Sequence, residues 1–280
     1  MTEAKLAVLL VIALLGHVMA FIWFLALKRR WKISERMIYD LPFTEGQIRR
    51  ELKNSLHAPV HAVMLFGFLH LGFFTTAGWW SFAYSGILTA AWAEIWHYSS
   101  HRGFHLRALH WIHAEHHKSR LNSAFTAISF SFAEKLIFDA GLLGLLAAVD
   151  SFVGLNFFGI AAWYIAYLVI NSFSHANFEL KSKDYNRFAG KLLTSTTYHS
   201  LHHSRYTGNY GLGTRVLDKL FRTEWEDYER LYDRVSREQR PLTRLRERVE
   251  IPPDNRQLRS LHVSPAAPSE RERSTSDRTH

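Results

Sequence analysis

The chain has 280 residues, no cysteine and a formal net charge of +9. Without cysteine it forms no disulfides, iron–sulfur clusters or thiolate zinc sites. Hydrophobic residues make up 48% of the sequence and occur in long uncharged runs, which is typical of a membrane protein. The basic residues flank these runs or lie in the C-terminal tail. We therefore interpret the charge as membrane-surface charge and expect no nucleic-acid partner.

The first half of the chain predicts one membrane span followed by a helical hairpin. Residues 6–27 carry no charged side chain and are long enough to cross a bilayer. The basic segment 28–53 follows, and basic loops remain on the cytoplasmic side. Residues 56–93 again lack Asp, Glu, Lys and Arg, and residues 75–78 interrupt them. His57, His61 and His70 lie in this hairpin and are expected to be packing or substrate-channel residues.

Charged side chains interrupt the next apolar stretch. Glu134, Lys135 and Asp139 come early in it, and Asp150 separates it from the uncharged run 152–173. This pattern predicts a second hairpin with one short, incomplete arm. The expected fold is therefore all-α: a multi-pass transmembrane helical bundle of about four or five spans with a cytoplasmic helical cap that carries a His-rich two-metal site.

Three regions are predicted along the chain. Residues 1–55 hold the first span and the basic loop, and residues 56–235 form the membrane-embedded catalytic domain. Residues 236–280 are rich in charged residues and have too little apolar surface to fold, so they are predicted to be a disordered tail.

Histidines are concentrated in three short motifs. His97 and His101 are four residues apart and share one face of a helix. Two further motifs have the spacing His-x-x-His-His. On a helix this spacing is expected to point all three imidazoles of a motif in one direction. These motifs are His113, His116 and His117, and His199, His202 and His203. One tetrahedral ion takes about four ligands, so eight imidazoles predict two metal ions. Spacing does not choose among iron, copper, zinc and nickel.

These motifs resemble the three histidine boxes of the fatty acid hydroxylase/sterol desaturase superfamily, particularly its bacterial-type sterol desaturase-like members. The similarity continues through residues 206–211 and 217–221. It implies a membrane enzyme with two iron ions that uses dioxygen to hydroxylate or desaturate an unactivated carbon of a sterol, fatty acyl or related lipid. Electrons would come from a separate redox protein. The resemblance also implies that the eight box histidines are metal ligands and that His175 is a further one.

Four polar residues are placed to orient the imidazoles: Glu94, Glu115, Asn177 and Asp218. Each is equally explained as a surface charge or a helix cap. The favoured location is a bacterial cytoplasmic membrane, with the site on its cytoplasmic face. Four other interpretations stay open, namely a metal-dependent lipid hydrolase, a lipid-cleaving monooxygenase, a His-rich membrane metal transporter and a purely structural metal site.

Overall fold

The computed structural model of the protein describes residues 2–250, and this part of the chain contains α-helices and no β-strand. The helices are α1 (Glu3–Lys28), α2 (Gln47–Asn54), α3 (Val60–His70), α4 (Trp79–Phe104), α5 (His110–His117), α6 (Phe132–Val153), α7 (Phe157–Ser174), α8 (Thr196–Arg205), α9 (Val216–Leu220) and α10 (Tyr228–Ser236). Helices α1, α6 and α7 are long and apolar enough to cross a membrane. The all-α prediction is confirmed, whereas the number of spans and the cytoplasmic position of the cap stay predictions.

Helices α3 and α4 form the predicted hairpin. The turn between them contains Gly72 (φ 90°) and Gly78 (φ 113°), which adopt backbone conformations that side chains disfavour. The interruption predicted at residues 75–78 lies within this turn. Helix α4 then continues for 26 residues and carries the first histidines at its C-terminal end.

Helix α6 is one continuous helix of 22 residues, so the predicted short, incomplete arm is wrong. The charged side chains that suggested a break are paired inside the protein. Glu134 accepts a hydrogen bond from His113, and the ammonium of Lys135 lies 2.8 Å from the carboxylate of Asp139. Asp150 accepts a backbone N–H of the α3–α4 turn at 2.9 Å. Pairing removes most of the cost of placing these charges in an apolar helix.

Small residues let the long helices approach closely. Helix α7 packs against α1 and α4, and α6 packs against α3 and α4. A Cβ atom on Gly159 of α7 would lie only 2.3 Å from the carbonyl oxygen of Phe82 in α4. On the other side, Gly141 of α6 accommodates Trp96, whose indole N–H donates to the carbonyl of Phe138 at 2.9 Å. Such contacts are the usual source of stability between helices in lipid.

We call helices α2, α5 and α8–α10 with their connecting loops the cap; within it, α8 and α10 share a buried core with loop residues. Tyr198, Tyr228 and Leu242 are fully buried in this core. The backbone N–H of Leu242 donates to the carbonyl of Ile38 at 2.7 Å. The compact part of the chain therefore continues to Val249, beyond the predicted boundary at residue 236. The remaining domain boundaries stay predictions, and residues 251–280 lie outside the described part of the chain.

Candidate metal centre

Four segments of the chain bring buried imidazoles together: the C-terminal end of α4, helix α5, the residue after α7, and helix α8. Helix α8 begins at Ser195, whose hydroxyl accepts the backbone N–H of Tyr198 at 3.2 Å. This N-cap fixes where the helix starts and therefore which way its histidines point. Every residue of α8 is buried, because one side faces the histidine cluster and the other packs in the cap.

The imidazoles form two groups, and within each group the possible ligand atoms all lie within 4.8 Å of one another. The first group is His101, His105, His113, His117 and His202. The second group is His116, His175, His199 and His203. The two groups are neighbours, since the ring centroids of His117 and His203 are 4.8 Å apart. Imidazole-only ligand sets suit iron, copper, zinc and nickel.

Each His-x-x-His-His motif is divided between the two groups. In α5, His113 and His117 belong to the first group and His116 to the second. In α8 the division is reversed, and His202 is the member that joins the first group. Around a helix axis, the side chain at position i+4 is rotated by about 40° from that at position i. The side chain at position i+3 is rotated by about 60° in the opposite direction. The prediction that all three side chains of a motif point one way is therefore wrong.

Hydrogen bonds to the backbone orient the rings. Nδ1 contacts a carbonyl oxygen in His101 (Tyr210, 2.8 Å), His116 (Ser129, 3.0 Å), His175 (Asn171, 2.8 Å), His202 (Gly208, 2.8 Å) and His203 (Ser119, 3.1 Å). An Nδ1 atom that donates to oxygen leaves Nε2 as the metal-binding atom. The Nε2 atoms of His175 and His199 lie 3.0 Å apart, as do those of His117 and His202. Two nitrogens bound to one tetrahedral ion are about 3.3 Å apart, so the residues present fit a pair of metal ions.

Glu134 of α6 orients His113. Its Oε1 atom accepts the Nδ1 hydrogen bond of His113 at 2.6 Å, and its Oε2 atom is buried without a hydrogen-bond partner among the described residues. A carboxylate behind a metal-binding imidazole fixes the ring and increases its basicity. Sequence reasoning missed this residue, although a charge inside an apolar stretch was a signal that could have found it.

Burial keeps the imidazoles in the form that binds metal. It lowers the pKa of His116 to about 4 and the pKa of His175 to about 3. Burial also holds the pKa of His117, His199 and His203 far below the ordinary value for histidine. These side chains are therefore neutral at physiological pH, and neutral imidazole is the metal ligand.

The possible ligand groups include His105 and not His97, and whether His97 binds metal stays a prediction. His105, which follows the helix directly, belongs to the first group, whereas the predicted ligand His97 belongs to neither group. Both residues are four positions from His101, so spacing could not choose between them. The ring nitrogens of His97 are buried without partners among the described residues. The other eight predicted ligands all lie in the two groups, and their binding of metal stays a prediction.

The four polar residues predicted to orient the rings, Glu94, Glu115, Asn177 and Asp218, have other hydrogen-bond partners within the described chain. Glu94 bonds to Thr214, Glu115 to Asn54 and Lys118, and Asn177 to Tyr39. Asp218 acts indirectly, because it accepts the backbone N–H of Tyr210, whose carbonyl contacts His101. The sequence therefore missed the direct supports, which are mainly backbone carbonyls and carry no sequence signal.

A mostly apolar cavity borders the histidine cluster. Its wall includes six histidines and, from α6 and α7, Phe138, Tyr164, Tyr167 and Leu168. The six are His97, His101, His113, His116, His175 and His199. A second groove shares His97, Tyr167 and Leu212 with the cavity. It runs between α4 and α7 past the exposed residues Ala90 and Ala166. The groove therefore adjoins the cavity at these shared residues.

The chain was compared with known proteins. Residues 86–223 match the family model described as fatty acid hydroxylase, and this range contains both histidine groups. The chain belongs to the fatty acid hydroxylase family. The resemblance inferred from the histidine motifs is thereby confirmed.

The curated relatives of this fatty acid hydroxylase family member include plant proteins. It is 30% identical over 171 residues to the very-long-chain aldehyde decarbonylase GL1-6 of Oryza sativa subsp. indica, covering 57% of this chain and 26% of the relative. It is 31% identical over 175 residues to the very-long-chain aldehyde decarbonylase CER1 of Arabidopsis thaliana, covering 56% and 26%. With the Arabidopsis protein CER1-like 1 it shares 28% identity over 225 residues, covering 76% and 35%. The chain thus spans about a quarter to a third of these relatives, and no solved structure matches it.

Proposed function

We propose that this protein is a membrane-embedded di-iron enzyme that uses dioxygen to hydroxylate or desaturate a lipid. Its family and relatives indicate a lipid-modifying enzyme. The observation that carries the more specific proposal is the position of the two histidine groups, which border an apolar cavity next to helices able to cross a membrane. A lipid can reach such a site without entering water.

The first histidine group would hold one iron ion and the second group the other. Bound iron supplies the activation of dioxygen, which protein side chains alone do not provide. In hydroxylation one oxygen atom enters a C–H bond and the other leaves as water. In desaturation both oxygen atoms leave as water, and two adjacent carbons each lose a hydrogen. Both reactions take up two electrons and two protons, so a separate redox protein is required as donor.

The chain's own residues would bind the lipid and exclude water. Phe138 and Leu168 line the cavity beside the imidazoles and present apolar surface to an alkyl chain. The rest of the chain would lie in the groove between α4 and α7, where the small side chains of Ala90 and Ala166 leave room. We further propose that the protein is a multi-pass protein of a bacterial cytoplasmic membrane and that its cap faces the cytoplasm. The basic segment 28–53 supports that orientation.

The names of the relatives favour a second candidate, the decarbonylation of a very-long-chain aldehyde. Its product would be one carbon shorter than the substrate, whereas hydroxylation and desaturation keep every carbon. A metal-dependent lipid hydrolase would instead turn over without dioxygen. A metal transporter is less well supported, because transporters bind their ions near the bilayer midplane and here most ligands lie in the cap and at helix ends.

The deciding experiment uses the full chain purified in lipid nanodiscs. Iron per chain is measured by elemental analysis, and dioxygen uptake is followed with a chemical reductant and a defined long-chain lipid. Mass spectrometry then identifies the product. We expect two iron ions and lipid-dependent dioxygen uptake, both lost in His116→Ala. Zinc alone, or lipid turnover in the absence of dioxygen, would refute the proposal.

A further inference from the structure

An ion pair lies inside the apolar helices, apart from the two histidine groups. Lys135 and Asp139 are one turn apart on α6, with the ammonium 2.8 Å from the carboxylate. Lys135 also donates to the hydroxyl of Tyr164 in α7 at 3.1 Å. His61 of α3 contacts the same carboxylate at 3.1 Å and stacks on the ring of Tyr164. These side chains link three helices, and charges inside a membrane segment are rare because they are expensive.

Lys135 is the member of this network that reaches the cavity. Its side chain lines the same wall as His113 and His116. It is 7% exposed, and the carboxylate of Asp139 is fully buried. A lysine ammonium has three N–H donors, and two of them are used by Asp139 and Tyr164. The third has no hydrogen-bond partner among the described residues, so one donor remains at the wall of the cavity.

A purely structural role does not explain this arrangement. An ion pair that only joined helices would be stabilised by being closed off from the cavity, since an unsatisfied donor in an apolar space costs free energy. Here the donor lies beside the space that would hold the lipid. Its chain neighbour Glu134 orients His113, and Lys135, Glu134 and His113 all line this cavity.

We propose that Lys135 binds the oxygen at the polar end of the lipid substrate and that this end is uncharged: an alcohol or an aldehyde. The ammonium is already balanced by Asp139, so a carboxylate bound here would leave one negative charge buried without a counter-charge. A neutral oxygen accepts the free N–H and adds no charge. The carbons next to the polar end then lie against the histidine groups. This inference rests on the proposed lipid substrate and names its chemical class.

The test is direct binding, which needs no turnover. Hexadecanol, hexadecanal, hexadecane and hexadecanoate are titrated against the purified, metal-loaded protein in nanodiscs. We expect the alcohol and the aldehyde to bind at least about tenfold more tightly than the alkane, and more tightly than the carboxylate. Preferred binding of the carboxylate, or equal binding of alcohol and alkane, would overturn the proposal.

The residue is tested with the double variant Lys135→Met/Asp139→Asn, which removes both charges and keeps an acceptor for His61. We expect metal content to be retained and the preference for the alcohol over the alkane to be lost. Lys53→Met, the same change at an exposed lysine of α2, should keep the preference. If the double variant lost metal, Lys135→Gln/Asp139→Asn would be used, which retains a neutral donor and should keep part of the preference. An unchanged preference in a metal-loaded variant would refute the role of Lys135.

Failure of this inference and failure of the proposed function are separable. Iron-dependent oxidation of a lipid with no effect of Lys135 on binding removes only the polar subsite. Selective, Lys135-dependent binding of alcohol and aldehyde without iron or dioxygen uptake removes the proposed reaction and leaves the subsite in place.

Discussion

Glu134 and His113 join the membrane helices to the cap through one hydrogen bond of 2.6 Å between a carboxylate and an imidazole. Both side chains are almost fully buried. The bond crosses from α6 to α5, so the position of a predicted metal ligand depends on a helix that carries no ligand itself.

Replacing Glu134 by Gln should weaken metal binding. The amide of Gln carries no negative charge, so it is a weaker hydrogen-bond acceptor for the imidazole than a carboxylate. Mutations of residues that hydrogen-bond to a metal ligand lower metal affinity by about 10–100-fold. Competition with a chelator measures the affinity. Glu115→Gln is the matched control, because Glu115 lies on the outer side of α5 with Lys118 and Asn54 as partners. Equal affinities in the two variants would contradict the role of Glu134.

His105 and His97 distinguish the structural assignment from the one based on spacing. His105→Ala removes a member of the first group and should lower iron content and abolish turnover. His97→Ala should retain both iron ions, because His97 lies outside both groups. His57→Ala is the control and should keep most activity, because the Nδ1 atom of His57 contacts the carbonyl of Phe130 and His57 belongs to neither group. Loss of iron in His97→Ala together with normal iron in His105→Ala would reverse the assignment.

A large side chain in the groove between α4 and α7 should block the lipid and spare the metals. We expect Ala166→Trp to reduce turnover of a long-chain lipid at least about tenfold while iron content stays normal, since the groove adjoins the cavity beside the imidazoles and is proposed to hold the rest of the lipid chain. Ala148→Trp places the same side chain on the exposed face of α6 and should have little effect. The comparison needs only steady-state rates and elemental analysis. Similar rates in the two variants would exclude this route.

The orientation in the membrane can be measured with single cysteines, since the chain has none of its own. Helix α4 has 26 residues and is about 39 Å long, so its two ends can lie on opposite sides of a bilayer. Ala77→Cys before α4 and Ala108→Cys after it are both at exposed positions. In intact cells an impermeant thiol reagent should label residue 77 and leave residue 108 unlabelled. The opposite pattern would place the cap outside the cytoplasm.

The stability of the cap should depend on Leu242. This side chain is fully buried, and Leu→Ala changes at such positions lower the free energy of unfolding by about 2–5 kcal/mol. Denaturant unfolding monitored by tyrosine and tryptophan fluorescence provides the measurement.

Removal of residues 253–280 should leave iron content and turnover unchanged, because both histidine groups and the cap core lie before that point. Loss of iron in the truncated chain would contradict this expectation.

Local features of the site could be predicted from the sequence, because spacing along one helix is a local property. The two His-x-x-His-His motifs do lie on helices and face one cluster. Which histidines of the two motifs combine into one group was not predictable, since it depends on how α5 and α8 are rotated against each other. The presence of His105 rather than His97 in the first group also depends on the tertiary structure, because both residues are four positions from His101.

The fold shows a similar limit at α6. Charges in an apolar stretch normally mark the end of a span, and this rule failed because each charge has a partner on another element or one turn away. Leu242 shows the converse case. A single apolar residue in a charged segment gives a weak signal, yet it is fully buried against the cap and extends the packed chain beyond residue 236.

Both histidine groups include residues of α8, and this sets the order in which the groups can be completed during synthesis. Both groups draw on α8, whose histidines lie about a hundred residues beyond those of α4 in the sequence. Neither metal position is complete until the ribosome has passed residue 203. The long helices α1, α4, α6 and α7 are therefore synthesised before either complete group could hold a metal. Chains made while the proposed metal is scarce would then be complete before either histidine group is filled.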